Sequence, residues 1–407
     1  MWNASIKPLV YLLSLAVAAA LLSGCEIDQK ETQAEDGFLK LFNHPEETLA
    51  FYPEGLLELD GDGYLFLSAV KDELAEIEYP SSYITRCNAQ GQVEWSMAYD
   101  WFAPVGDLFR LNGQVGFVAM DEQFRVSAIL IDPSNGSITA THDLEMTMPL
   151  AAGTDSNGNL LVLGYDFDSR SSWISKFNGS FSLERSVLLP VNTDLVEVEI
   201  QRHMNKMGQE HPFYIGQYST GSTTGYYVSC YYNYTLRTIF LDQSSLAASG
   251  DIFYYQTGEA ISSIVHKNAS YFGLTSYYEG NNYILPYIEL NLNESRNIRD
   301  LPAEPLYELS YKAPVATAQL SGATEDYTLF ASQTNASELV IYQYAASSDS
   351  LISTHYRGFD EQVRVSQLLP TEDGGAMILG GIHILGKYRR PFLLKFPPET
   401  FAPKAED

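Results

Sequence analysis

Cysteine is nearly absent from this chain, with 3 in 407 residues. That excludes a disulfide-dense scaffold, and no Cys-x-x-Cys or closely spaced histidine pair offers a zinc site. Positive charge is equally short: 24 Lys+Arg stand against 51 Asp+Glu, for a formal net charge of -27. Such a surface repels nucleic acid and anionic lipid headgroups, so no nucleic-acid partner is expected. The one compact basic cluster, Lys387-Tyr388-Arg389-Arg390, reads as a solvated loop or a docking point on a partner. Long apolar runs are missing beyond Leu9 to Leu22, and no amphipathic helical stretch of useful length follows Gly37. A Gly-x-Ser-x-Gly nucleophile elbow is absent too, which removes one common route to covalent catalysis. No catalytic set, metal site or cofactor is expected, and enzymatic activity is not favoured.

What is present begins with the first 24 residues. Lys7 supplies a positive start, and the apolar run after it is fourteen residues long, right for a targeting segment and short for a permanent membrane span. Leu22-Ser23-Gly24-Cys25 follows at once. This tetrapeptide resembles the lipobox of bacterial lipoproteins, and the resemblance implies cleavage before Cys25 and acylation of its thiol, palmitate included. Each buried methylene of such chains contributes about 0.8 kcal/mol, so multiple chains hold a folded domain at a membrane. Glu26 stands where an inner-membrane retention signal would place aspartate, which favours the outer membrane, on its periplasmic or cell-surface side. Residues 25–36, with Glu26 to Asp36 reading EIDQKETQAED, have almost nothing to bury and read as an acidic tether. The tether resembles surface-export signals of Bacteroidetes lipoproteins, and Asp349-Ser350-Leu351 resembles an O-glycosylation motif of that phylum's envelope proteins.

Residues 37–407 read as one all-β domain. Short runs of Tyr, Phe, Val, Ile, Leu and Thr alternate with Gly, Asn, Asp and Ser clusters, and the runs recur about every fifty residues. The clearest unit starts at Gly55-Leu56-Leu57-Glu58-Leu59, turns at Asp60-Gly61-Asp62-Gly63 and continues through Tyr64-Leu65-Phe66-Leu67. It reaches Tyr83 to Cys87, turns at Asn88 to Gly91 and closes with Val93-Glu94-Trp95-Ser96. Equivalent turns fall at Leu111-Asn112-Gly113, Asp155 to Gly158, Asn205 to Gly208, Lys267-Asn268, Thr324 to Asp326 and Thr371 to Gly375. Seven four-stranded units result, the pattern of a seven-bladed β-propeller. The seventh runs out of chain after Phe392 to Phe396, whereas Phe38 to Phe42 is a spare strand at the other end; pairing them closes the ring and hides an edge. The segments TEDGGAMILGG with FLLKF, and DGDGYLFLSA with YITRCNAQGQVEW, resemble the repeats of secreted bacterial propellers of the delta-60 and quinoprotein-like type, which implies the same fold.

Few constellations carry chemistry. Asp60-x-Asp62-Gly63 opens like a calcium loop, but Tyr64 and Lys71 occupy its later ligand positions, so hairpin-turn chemistry is the better reading. Cys87 and Cys230 fall three units apart and are expected as buried, unpaired thiols. The seven histidines are scattered, although His203 and His266 would meet if both lined a central channel. Tyrosine is dense between Tyr226 and Tyr287. Its flat face and hydroxyl suit sugar stacking or a protein partner, and its β propensity suits packing between blades. The expected role is a lipid-anchored binding or scaffolding module for a protein partner or outer-membrane complex. The alternative is a glycan-binding or glycan-processing protein using Tyr227, Tyr232 and Tyr278.

Overall fold

The computed structural model describes residues 37–402 apart from 61–62, 75–78, 208–209, 222, 257, 323–324 and 385–387. The targeting segment, Cys25 and the acidic tether lie outside the described residues, as do Asp62 and Lys387.

The chain is a seven-bladed β-propeller. Blade 1 takes Leu49–Glu58, Tyr64–Asp72, Ser81–Cys87 and the first half of Val93–Leu111. The second half of that long strand opens blade 2, which continues through Gln114–Met120, Arg125–Ile131 and Ile138–Thr147. Positive φ at Ala103 and Gly106 lets one strand turn the corner between blades, so the first two share a seven-stranded sheet. Blade 3 is Pro149–Thr154, Leu160–Asp166, Ser171–Phe177 and Leu183–Pro190. Blade 4 is Tyr214–Ser219, Thr224–Tyr232, Thr235–Asp242 and Ala248–Phe253, and blade 5 is Ala260–Asn268, Tyr271–Tyr278, Asn281–Glu289 and the short Glu304–Leu306. Blade 6 is Ala316–Ser321, Asp326–Gln333, Glu338–Ala345 and Leu351–Gly358.

Blade 7 takes three strands from the C-terminal end, Val363–Pro370, Ala376–Ile382 and Arg390–Phe396. Its outer strand is Phe38–Leu41, antiparallel to the last of these with Phe38 opposite Lys395 and Leu41 opposite Phe392. The inner strands abut in blade order, and that of blade 7 meets that of blade 1. The ring is therefore closed by the two ends of the domain.

Middle strands bury both faces because each sheet is packed between two others. Tyr64–Asp72 carries eight consecutive buried residues, where a half-exposed strand would alternate. Tight turns fix the spacing between strands: Gly63 has φ +109°, and a Cβ there would lie 2.1 Å from the Cys87 carbonyl oxygen.

Three features correct the sequence reading. A helix, α1 (Leu195–Met204), interrupts the all-β pattern between blades 3 and 4. The expected turn at Asn205 to Gly208 is no hairpin, since Asn205 ends α1, and blade 4 makes its first hairpin between Ser219 and Thr224. The basic cluster is no solvated loop at its C-terminal end either. Arg390 is fully buried and donates to the carbonyls of Leu49 and Glu46, while Arg389 lies over the Tyr52 ring at 4.7 Å. Both arginines are bolts across the seam between blades 7 and 1.

Candidate functional site

The seven inner strands surround a central cavity of about 580 Å³. Val105, Leu150, Ala151, Ala152, Ile215 and Ala318 give it apolar walls, and Glu54, Asp107, Thr317, Arg364 and Ser366 add polar groups. One end is covered. The blade 3 to blade 4 connection, residues 191–213, contributes His203, Lys206, Glu210, His211 and Phe213 to the lining.

This connection is a strap anchored on both sides of the ring. On its own side α1 buries Val196, Ile200, His203 and Met204, a helical spacing that presents one face to the core. On the far side Lys206 pairs with Glu54 of blade 1 at 2.5 Å, and Lys71 of blade 1 donates to the Asn205 carbonyl at 3.3 Å. Glu210 lies 3.4 Å from Arg364 and 3.6 Å from Arg389, both of blade 7. A segment rooted in blades 3 and 4 thus reaches the seam where the two chain ends meet.

The electrostatics follow from this geometry. Burial pushes the Glu210 carboxyl up, but Arg364, Lys206 and Arg389 outweigh it and hold the group well below the usual carboxylate range. Burial disfavours the Lys206 ammonium, yet Glu54 and Glu210 keep it protonated. His203 is pushed far down by burial and then by Lys206. The His211 amide donates to its Nδ1 at 3.0 Å, so the ring is neutral with its proton on Nε2. Asp107 stands apart: its side chain is open to the channel, and desolvation by the surrounding walls alone pushes it up to about 6.

The two ends of the propeller differ in chemistry. In a four-stranded antiparallel blade, the start of the inner strand, the hairpin between the second and third strands and the end of the outer strand share one edge. The strap lies on that face. Loop residues there leave large apolar side chains in water: Leu74 and Phe124 from blades 1 and 2; Leu195, Val198 and Met207 from the strap; Tyr234, Tyr255, Tyr307, Tyr311 and Tyr388 from blades 4, 5 and 7 and their connections. Tyr255 and Tyr307 are 76% and 75% exposed. Among the described residues, the exposed apolar side chains next to the opposite face, Val93, Ile138, Leu183 and Leu351, are each the first residue of an outer strand, and the turns themselves expose none. Those turns are short Asp and Asn loops with their carboxylates engaged. The Asp155 side chain, for example, accepts from the amides of Asn157 and Asn159 and from the Tyr226 hydroxyl.

The tyrosines singled out from the sequence are dispersed. Tyr227 is buried in blade 4 and lines the channel, edge-on to Phe272; Tyr278 is buried at the end of a blade 5 strand, stacked on Tyr283 with centroids 3.8 Å apart. Tyr232 is half-buried beneath Arg237. His203 and His266 do not meet either: His203 packs on His211 and Phe213, and His266 on Tyr218 and Phe272. Asp60 forms an ion pair with Arg110 across to blade 2. Cys87 and Cys230 are buried free thiols in blades 1 and 4.

The sequence matches no protein-family description and no curated protein. Solved structures do resemble the fold. Hydrazine synthase from Kuenenia stuttgartiensis aligns with TM-score 0.51 at 12% identity, over 83% of this chain and 94% of that one. The WD40 β-propeller domain of Doa1 aligns with TM-score 0.49 at 7% identity, over 88% and 95%. A mutant of AofleA from Arthrobotrys oligospora aligns with TM-score 0.43 at 10% identity, over 88% and 86%. At such identities the likeness concerns the fold alone.

Proposed function

We propose that this chain is a binding module, held at a bacterial outer membrane by acyl groups on Cys25, whose strap-bearing face docks a protein partner. One observation carries the reading: among the described residues, the exposed large apolar side chains borne by connections between strands all lie on that face. Exposed aromatics cost solvation in the free protein and become the anchors of an interface when covered. Tyrosine suits this task because it offers a large contact area with few rotors to freeze. The net charge of -27 favours a partner presenting a basic surface around its apolar contacts. The lipobox-like Leu22-Ser23-Gly24-Cys25 and the acidic stretch after it support the membrane placement.

Cross-linking and pull-down from native envelopes tests the docking face. Wild type should recover a discrete protein, and a Tyr255→Ser/Tyr307→Ser variant should recover at least about tenfold less. Recovery of the bait alone sinks the reading, and saturable binding on a glycan array in its place transfers the face to a carbohydrate. Cys25→Ser should release the chain from the detergent phase; unchanged partition sinks the anchor.

A further inference from the structure

Asp107 is the channel group that the docking face does not use. It lines the cavity with its side chain open to the channel, and among the described residues no hydrogen-bond donor or cation pairs with it. The other lining carboxylates are matched, Glu54 by Lys206 and Glu210 by Arg364. The backbone is also arranged to place it there. Pairing between the inner and second strands of blade 2 shifts register between Val105 and Phe109, so residues 106–108 bulge out of the ladder. Gly106 adopts φ +70°, and a Cβ there would lie 2.4 Å from the Ala152 carbonyl oxygen. Gly55 clears the other side, since its Cβ would lie 2.9 Å from the Asp107 Cα. Bulges re-aim side chains at sites, and this one is wedged between two neighbours.

We infer that the central channel binds a small organic cation, an amine whose ammonium takes Asp107 as its counter-ion. A single carboxylate supplies too few oxygens for calcium, which wants about six to eight. A volume near 580 Å³ suits a molecule with a body, within the range of about 300–1,000 Å³ usual for small-ligand sites. Leu150, Ala151, Ala152 and Ile215 wall an aliphatic chain, and the hydroxyls of Thr317 and Ser366 offer neutral hydrogen bonds to a second polar end. The strap blocks one mouth, so the amine enters from the opposite face. This inference stands independently of the docking face.

Calorimetric titration of the full-length chain in detergent with cadaverine and spermidine tests it, with calcium chloride and a neutral hexose as controls. Saturable one-to-one binding of an amine is expected. Asp107→Asn should weaken it at least about tenfold, and Asp107→Glu, which keeps the charge, should retain most of it. Near-UV circular dichroism confirms that both variants are folded. No amine binding by wild type, equal binding by the Asn variant, or binding of calcium in place of amines overturns the inference.

Discussion

Asp107 and Glu210 line the same channel, yet their surroundings push them in opposite directions. Desolvation by the channel walls raises Asp107 to about 6, so its folded state holds a proton more tightly than the unfolded chain, whose ordinary value is 3.8. Its contribution to stability is therefore full below about pH 4 and is lost as pH rises through 6. Because the side chain is open to channel water, solvent damps the effect. Asp107→Asn should raise the unfolding temperature only slightly at pH 7.5 and leave it unchanged at pH 4; scanning calorimetry at the two pH values checks this. Glu210 is the reverse case, with stability present above its unfolded value of 4.5 and lost as pH falls toward the depressed folded one. Glu210→Gln strands Arg364 and Arg389 and should cost roughly 3 kcal/mol at pH 7 in urea unfolding. Neither residue stands out in the sequence, because a channel partner is set by the ring and not by spacing along the chain. The tyrosines mislead for a related reason. In Tyr226-Tyr227 adjacent rings face opposite sides of the strand, but blade 4 is covered on both sides, so both are buried.

At the scale of elements, the strap shows where local pattern and tertiary context disagree. Val196-Glu197-Val198-Glu199-Ile200 alternates apolar with acidic residues and is rich in β-branched side chains, which locally favours a strand. A helix forms because it seats Val196, Ile200 and Met204 against the core while leaving Leu195 and Val198 in solvent. Packing decides, since helix propensity differs by only a few tenths of a kcal/mol among these residues. Ile200→Ala should cost about 2–4 kcal/mol through the cavity it leaves. Because the strap is one connection and not a blade, the loss should appear first as proteolytic cleavage within residues 191–213, before global unfolding. Cleavage spread evenly over the blades would contradict that order. The hairpins of blades 1, 2, 3 and 7 were legible because each has Gly or Asn at its turn and a β run on either side. Blade 4 was not, as its first hairpin follows a helix whose end, Asn205, mimics a turn.

For the whole molecule the closure of the ring decides stability. The spare strand at the start and the missing strand at the end were readable because a closed ring needs every blade complete, a constraint that local sequence alone does not impose. What the count could not reveal is how much else joins the ends. Arg390 ties the last blade to the carbonyls of Leu49 and Glu46, Gln367 accepts from the Leu56 amide, and the strap adds Lys206 and Glu210 from across the ring. Phe38 and Phe42 bury their rings at this seam, each contributing roughly 2 kcal/mol. Removing residues 38–42 exposes the edge of Arg390–Phe396 and takes both rings away, but leaves the polar bolts and the strap in place. The truncated chain should then unfold in two steps by calorimetry, with blade 7 and its seam lost first, and should self-associate through the bared edge in light scattering. A single transition at the parent temperature from a monomeric truncated chain would show that the bolts and strap hold the ring without the closing strand.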